Sequence, residues 1–69
     1  MTPEQIQTDL AILAKKISVR KIAIELYNRK TPLSHGLLYN IVRNLATVSE
    51  KTQYVLEPYL EEKRKEGVI

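Results

Sequence analysis

SVRKIAIELYNRKTPLSHGLLYNIVRN, residues 18–44, contains two short helical patterns separated by turn residues, and their order decides the fold. Each pattern opens on a serine, whose hydroxyl can accept a hydrogen bond from a free amide in a helix's first turn. Apolar residues then recur every three or four positions, as on the buried face of a helix. We therefore predict two helices, from Ser18 to Tyr27 and from Ser34 to Asn44. Their apolar positions are Val19, Ile22, Ala23 and Leu26, then Leu38, Ile41, Val42 and Leu45.

The residues between the two patterns have turn chemistry. Pro32 disfavours helical backbone at Thr31, and Asn28 tolerates the left-handed conformation. Gly36 lies in the first turn of the second pattern, where it lowers helix stability by up to about 1 kcal/mol relative to alanine. A glycine at this position allows close approach of either a neighbouring helix or a ligand, and the sequence does not decide between these two interpretations.

A further helical pattern precedes this segment. Thr2 and Gln5 have the spacing of a capping box, and Pro3 suits the first position of a helix that we predict to end at about Lys16. The apolar positions of this helix are Ile6, Leu10, Leu13, Ala14 and Ile17.

The pattern that follows the segment contains a proline. Ser49 is a cap for this helix, and Pro58 interrupts it by removing one amide donor. We predict a break or kink there and a terminal helix from about Pro58 to Glu66, ended by Gly67. The apolar positions around the interruption are Val55, Leu56, Tyr59 and Leu60.

The length favours one domain spanning residues 1–69, and the helical patterns favour a compact all-α fold of four to five helices. A chain of 69 residues is close to the size at which a single core needs added stability, so we expect a homodimer. Because it has no cysteine and a single histidine, we expect no disulfide, metal or cofactor. We see neither a secretory signal nor an apolar run of roughly 18 residues, so we expect a cytoplasmic protein without a membrane partner.

Positive charge is concentrated in the middle of the chain. The formal net charge is +3, yet residues 15–43 hold seven Lys or Arg residues and one acid, a local charge of +6. A local basic excess of this kind is typical of a nucleic-acid surface, although it also occurs on solvated protein surfaces.

Two capped helices joined by a turn and followed by a further capped helix have the order of a helix-turn-helix domain, whose second helix enters the major groove of DNA. The helix-turn-helix core would cover about residues 18–56, and the C-terminal helix about residues 58–66. Asn40 suits an adenine edge, and Arg43 suits a guanine edge or a phosphate. The predicted base-reading residues are His35, Gly36, Tyr39, Asn40 and Arg43.

A second set of residues has the charges or the helix position needed to bind phosphates. Ser34 begins the second pattern, where free amides and the positive end of the helix dipole attract an anion. The predicted phosphate-binding residues are Ser34, Arg20, Lys21, Arg29, Lys30 and Lys51.

The stretches "SVRKIAIEL", "LSHGLLYNIVRN" and "VSEKTQYVLE" together resemble the DNA-binding headpiece of lactose-repressor-type regulators, and also the broader class of phage Cro and repressor proteins. The resemblance covers about residues 18–56, and the Val-Ser-x-x-Thr start of its last helix at Val48 is its most specific part. It implies base reading by the positions of His35, Gly36 and Asn40.

The chain departs from the headpiece pattern in three ways. The turn "YNRKTPL" is several residues longer, Gly36 has no side chain to read a base, and an additional helix precedes the resemblance. With no effector-binding domain in the sequence, we expect no small-molecule effector. The resemblance therefore implies a small phage- or plasmid-type repressor of transcription that binds double-stranded DNA.

Other functions remain as alternatives. A protein-interaction module that inhibits or adapts a partner would use the same "HGLLYN" face, on which Leu37 and Tyr39 suit protein contacts. RNA binding is less favoured because the chain has no Phe or Trp to stack on unpaired bases. We expect no enzymatic activity, since no nucleophile has a neighbouring base.

The C-terminal tail "EEKRKEGVI" reads most simply as a solvated helix end that frays. An alternative is that apolar and aromatic residues near it form a dimer surface, because aromatic residues are enriched at interfaces. The residues of this alternative surface are Tyr54, Tyr59, Val68 and Ile69.

Overall fold

The computed structural model describes all 69 residues and consists of four α-helices without strands, which confirms the all-α prediction. The helices pack around one core, and α1 contacts each of the other three. No helix is both long enough and apolar enough to cross a membrane. The helices are α1 (Pro3–Ile17), α2 (Val19–Asn28), α3 (His35–Val42) and α4 (Glu50–Lys65).

The predicted caps are confirmed at all four helix starts. Thr2 and Gln5 form the reciprocal capping box of α1. The hydroxyls of Ser18, Ser34 and Ser49 each accept a hydrogen bond from the backbone amide three residues later, at 3.1–3.2 Å. Each serine satisfies one amide that its helix leaves without a partner.

The prediction of a separate terminal helix that begins at Pro58 is wrong, because α4 runs continuously from Glu50 to Lys65. A proline inside a helix costs about 3 kcal/mol. Pro58 is exposed, whereas the neighbouring Leu56, Tyr59 and Leu60 are buried. Since burying each such side chain contributes about 1.5–3 kcal/mol, packing on both sides of Pro58 outweighs the lost hydrogen bond.

The left-handed residues of the turns differ from those expected. Asn28 is the last helical residue of α2, and Lys30 takes the positive φ of 63° instead. Helix α3 ends at Val42, two residues earlier than predicted, because Asn44 adopts a φ of 59°. This backbone turn directs Leu45 outwards, so its predicted apolar-face position is wrong and its side chain is 69% exposed.

Ten large side chains form a single core cluster. All four helices contribute to it, and each member is at most 1% exposed. The cluster comprises Ile6, Leu10, Leu13, Ile22, Leu26, Leu38, Ile41, Leu56, Tyr59 and Leu60.

Polar contacts fasten α4 to the first two helices. One nitrogen of the Arg64 guanidinium donates to both carboxylate oxygens of the buried Asp9, at 2.7 and 2.6 Å. The Tyr59 hydroxyl donates to Glu25 at 2.6 Å, and Lys63 pairs with the same carboxylate at 3.1 Å. Three residues of the second half of α4 are therefore tied to α1 and α2.

These contacts correct the interpretation of the C-terminal tail as only a solvated end. Lys63 and Arg64 pair with other helices, and Val68 and Ile69 pack partly buried against the core. Tyr59 is 1% exposed and is therefore unavailable for the suggested dimer surface. Of the residues proposed for that surface, Tyr54 is the most exposed, at 83%.

The Glu25 contacts predict acid sensitivity. Burial raises the pKa of Glu25, but the hydrogen bond from Tyr59 and the ion pair with Lys63 together lower it by more, so the pKa lies below its ordinary value of 4.5. Glu25 therefore stabilises the fold above about pH 4.5 and loses this contribution as the pH falls through its lower, folded-state pKa. Urea unfolding at pH 3–7 should show stability declining at the acid end.

The matched variant is Glu25→Gln, which keeps the shape of the side chain but does not titrate. Its stability should vary less with pH over the same acid range. An equally steep decline in the wild type and in Glu25→Gln would contradict the role assigned to this carboxylate.

Candidate nucleic-acid interface

Helix α3 has a buried face and an exposed face. Leu38 and Ile41 are 0% exposed and pack in the core. The opposite face points to solvent. Four of the predicted base-reading residues lie on this face, and Arg43 follows directly after the last helical residue, Val42; all five are exposed. The four are His35, Gly36, Tyr39 and Asn40.

Three of these residues form a row along α3. The rings of His35 and Tyr39 stack with centroids 6.4 Å apart and an interplanar angle of 13°. Arg43 donates a hydrogen bond of 2.9 Å to the Tyr39 hydroxyl, and its guanidinium carbon lies 5.3 Å from the ring centroid. Because residues four apart share one helix face, each side chain restrains the next and fewer conformations remain to be lost on binding.

Asn40 and Gly36 lie beside this row. The Asn40 side chain is exposed and makes no side-chain hydrogen bond within the chain. A Cβ atom built on Gly36 would meet nothing within 4 Å. Packing against a neighbouring helix therefore does not require a glycine at this position. The alternative interpretation, close approach of a ligand, stays a prediction.

The start of α3 presents free amides next to these side chains. The Ser34 hydroxyl accepts from the amide of Leu37 at 3.1 Å and is occupied as a cap. The amides of His35 and Gly36 have no partner one turn earlier, as at any helix start. Ser34 thus orients the helix, while the amides and the helix dipole supply the local positive potential.

Arg20 of α2 and His35 of α3 line a common groove of about 320 Å³. This places the predicted phosphate-binding Arg20 beside the first residue of the predicted base-reading helix. The walls between them are mostly apolar, and Tyr27 is 71% exposed. The other residues that line the groove are Ala23, Ile24, Pro32 and Leu33.

The other predicted phosphate-binding side chains differ in availability. Arg29 is paired with Glu62, and its guanidinium carbon lies 5.6 Å from the centroid of the Tyr59 ring. The hydrogen bond from Arg29 lowers the pKa of Glu62 below its ordinary value, so Glu62 is charged at neutral pH. Lys21 and Lys30 are exposed, whereas Lys51 lies on the first turn of α4, away from the α2–α3 groove.

Sequence reasoning did not single out Lys15 and Lys16 as phosphate ligands. They lie in the last turn of α1, and Arg20 and Lys21 lie in the first turn of α2. Ser18 is the single residue between α1 and α2, and it caps both helices with a φ of 79° and a ψ of 153°. A non-glycine residue rarely adopts this conformation, at a cost of about 1–3 kcal/mol. The four Lys and Arg residues within residues 15–21 are exposed and form no ion pair. Their close spacing in the sequence could have indicated this group of positive charges.

Comparisons of the chain with protein-family models, with curated proteins and with solved structures found no match.

Proposed function

We propose that this protein binds double-stranded DNA sequence-specifically as a small repressor of phage or plasmid type, with α3 in the major groove. The observation that carries the proposal is the exposed face of α3. Leu38 and Ile41 anchor the helix in the core, while Asn40 and the Tyr39–Arg43 pair face solvent. An α-helix fits the major groove, where amide and guanidinium groups distinguish base edges.

Each residue of this face has a role suited to its chemistry. Asn40 would bond an adenine edge at two points, and Arg43 would bond a guanine edge or a phosphate from the position that Tyr39 restrains. His35 and Tyr39 would contact phosphates, bases or thymine methyl groups. Gly36 would let the helix backbone approach the groove floor, since nothing in the chain occupies the space at its Cβ position.

The positive charges around α2 would fix the position of α3 on the duplex. Arg20 lies across the groove from His35, and Lys21 and Lys30 are exposed. Contacts to phosphates give affinity and register without sequence preference. Binding of such a protein within a promoter would block polymerase, which is the simplest mechanism of repression.

We predict that a basic side chain contributes more to phosphate binding when it is not already paired with an acid of the chain. Lys30→Ala should weaken binding to all duplexes alike and flatten the plot of log K against log salt by about 0.9. Arg29→Ala should have a smaller effect, because Arg29 already pairs with Glu62. Fluorescence anisotropy with labelled duplex at several salt concentrations measures both slopes.

The matched control is Lys65→Ala, which removes an exposed positive charge from the last turn of α4. Its salt slope should equal that of the wild type. If Lys30→Ala leaves the slope unchanged, or if Lys65→Ala flattens it as much, the phosphate contacts lie on another surface.

A protein-interaction module is the second candidate, and the apolar groove between α2 and α3 favours it. Ile24 is 51% exposed and Tyr27 is 71% exposed, so the groove places apolar surface between Arg20 and His35. Exposed apolar patches often mark protein contacts. DNA binding predicts that one duplex sequence is preferred at physiological salt, whereas this alternative predicts no sequence preference.

A further inference from the structure

The outer face of α4 carries a row of residues without partners in the chain, which we call the α4 stripe. It consists of Lys51, Tyr54, Pro58 and Glu61, all of which are exposed. Tyr54 is 83% exposed, the highest value among the large apolar side chains. Neither Lys51 nor Glu61 belongs to any ion pair of the chain.

The spacing of the α4 stripe matches the seam of a coiled coil. Its positions are separated by three, four and three residues, which is the 3.5-residue period that keeps one helix face against a partner helix. The stripe combines an aromatic ring and a proline at its centre with opposite charges at its two ends. It is therefore suited to a partner helix with a matching arrangement.

A second copy of α4 in antiparallel orientation has that arrangement. A two-fold axis beside Leu56 places Lys51 opposite the partner's Glu61 and Tyr54 opposite the partner's Pro58, and symmetry repeats both pairs. In the parallel orientation, Lys51 would instead face the same lysine of the other copy, and Glu61 the same glutamate. For a second copy of α4, charge complementarity thus favours the antiparallel orientation over the parallel one.

We propose that the α4 stripe binds a second copy of this chain through antiparallel α4 helices, with a Lys51–Glu61 ion pair between copies at each end. Tyr54 and Pro58 also border an open groove of about 740 Å³, whose other side includes Arg29 and Thr31. The partner's Tyr54 would enter this groove next to Pro58 and cover apolar surface. None of the exposed α3 residues belongs to the stripe, and Lys51, which is also a predicted phosphate ligand, does not line the α2–α3 groove, so the pairing can be tested without DNA.

Charge reversal tests this pairing in the absence of DNA. Sedimentation equilibrium at protein concentrations up to about 1 mM should show a monomer–dimer equilibrium for the wild type. Lys51→Glu and Glu61→Lys each replace two attractive contacts by two repulsive ones and should each raise the dissociation constant at least about tenfold. The double variant restores opposite charges and should return the constant to within about threefold of the wild type.

Tyr54→Ala supplies a test of the apolar part and should also weaken the dimer at least about tenfold. Circular dichroism checks that each variant stays helical, which is expected because all the replaced residues are exposed. A wild type that remains monomeric at about 1 mM would overturn the proposal. So would a dimer that neither single reversal weakens, or one that the double reversal fails to restore, because the copies would then meet through another surface.

Discussion

Replacing Asn40 and Arg43 together by alanine is expected to remove most of the discrimination between a preferred duplex and random DNA. Each well-placed contact to a base edge contributes about 1–3 kcal/mol of discrimination, so two contacts correspond to a loss of about 30-fold to about 20,000-fold. Binding to random DNA should fall much less, because phosphate contacts from α2 and the turn would remain. Competition anisotropy with both duplexes measures this ratio.

Control substitutions of the same residue types or charges on other helices separate this loss of discrimination from a general loss of polar surface. Asn28→Ala and Lys65→Ala also remove an exposed amide and an exposed positive charge, but from α2 and α4. The combined control should keep the wild-type ratio. An unchanged ratio in the Asn40→Ala/Arg43→Ala variant would remove α3 from the role of recognition helix.

The second large effect is expected from Leu38→Ala, which should destabilise the protein by about 2–5 kcal/mol. Leu38 is 0% exposed and joins α3 to the common core. A domain of this size has a total stability of about 3–10 kcal/mol, so the change removes much of it. We expect the melting temperature to fall by more than about 10 °C in a calorimetric scan.

Leu45→Ala is the control, because the sequence pattern assigns Leu45 to the same apolar face whereas the structure leaves it 69% exposed. Its effect on the free energy of unfolding should stay within about 0.5 kcal/mol. Equal destabilisation by the two substitutions would mean that α3 packs through a different face, and the exposure of Asn40 would then have to be reconsidered.

Helix starts could be predicted because their causes are local. Ser18, Ser34 and Ser49 each bond an amide three residues away, so a short stretch of sequence contains the whole interaction. The same holds for the exposed face of α3, since the positions of Leu38 and Ile41 fix which side chains lie opposite them.

Features that depend on tertiary packing could not be predicted in the same way. The sequence shows the local cost of Pro58, but not the burial of Leu56, Tyr59 and Leu60, which keeps α4 continuous. The position of Leu45 depends on the left-handed backbone of Asn44. Periodicity indicates that a helix exists more reliably than where it ends.

Contacts between residues distant in the chain also have no local signal. Arg29 and Glu62 are 33 residues apart, and nothing in either segment indicates that they pair. Sequence therefore predicted Arg29 as a free phosphate ligand on the same basis as Lys30. The groove that Arg20 and His35 share likewise depends on how the six residues between α2 and α3 orient the two helices, which neither helical pattern indicates.

Selection of duplexes from a randomised library by the purified protein, followed by anisotropy of the selected sequence at physiological salt, is the measurement that addresses DNA recognition most directly. We predict that a consensus emerges and that it binds at least about 1,000-fold more tightly than random duplex. If no consensus emerges and the weak binding disappears as salt is added, the positive charge of residues 15–43 attracts DNA only generically, which contradicts sequence-specific recognition by α3.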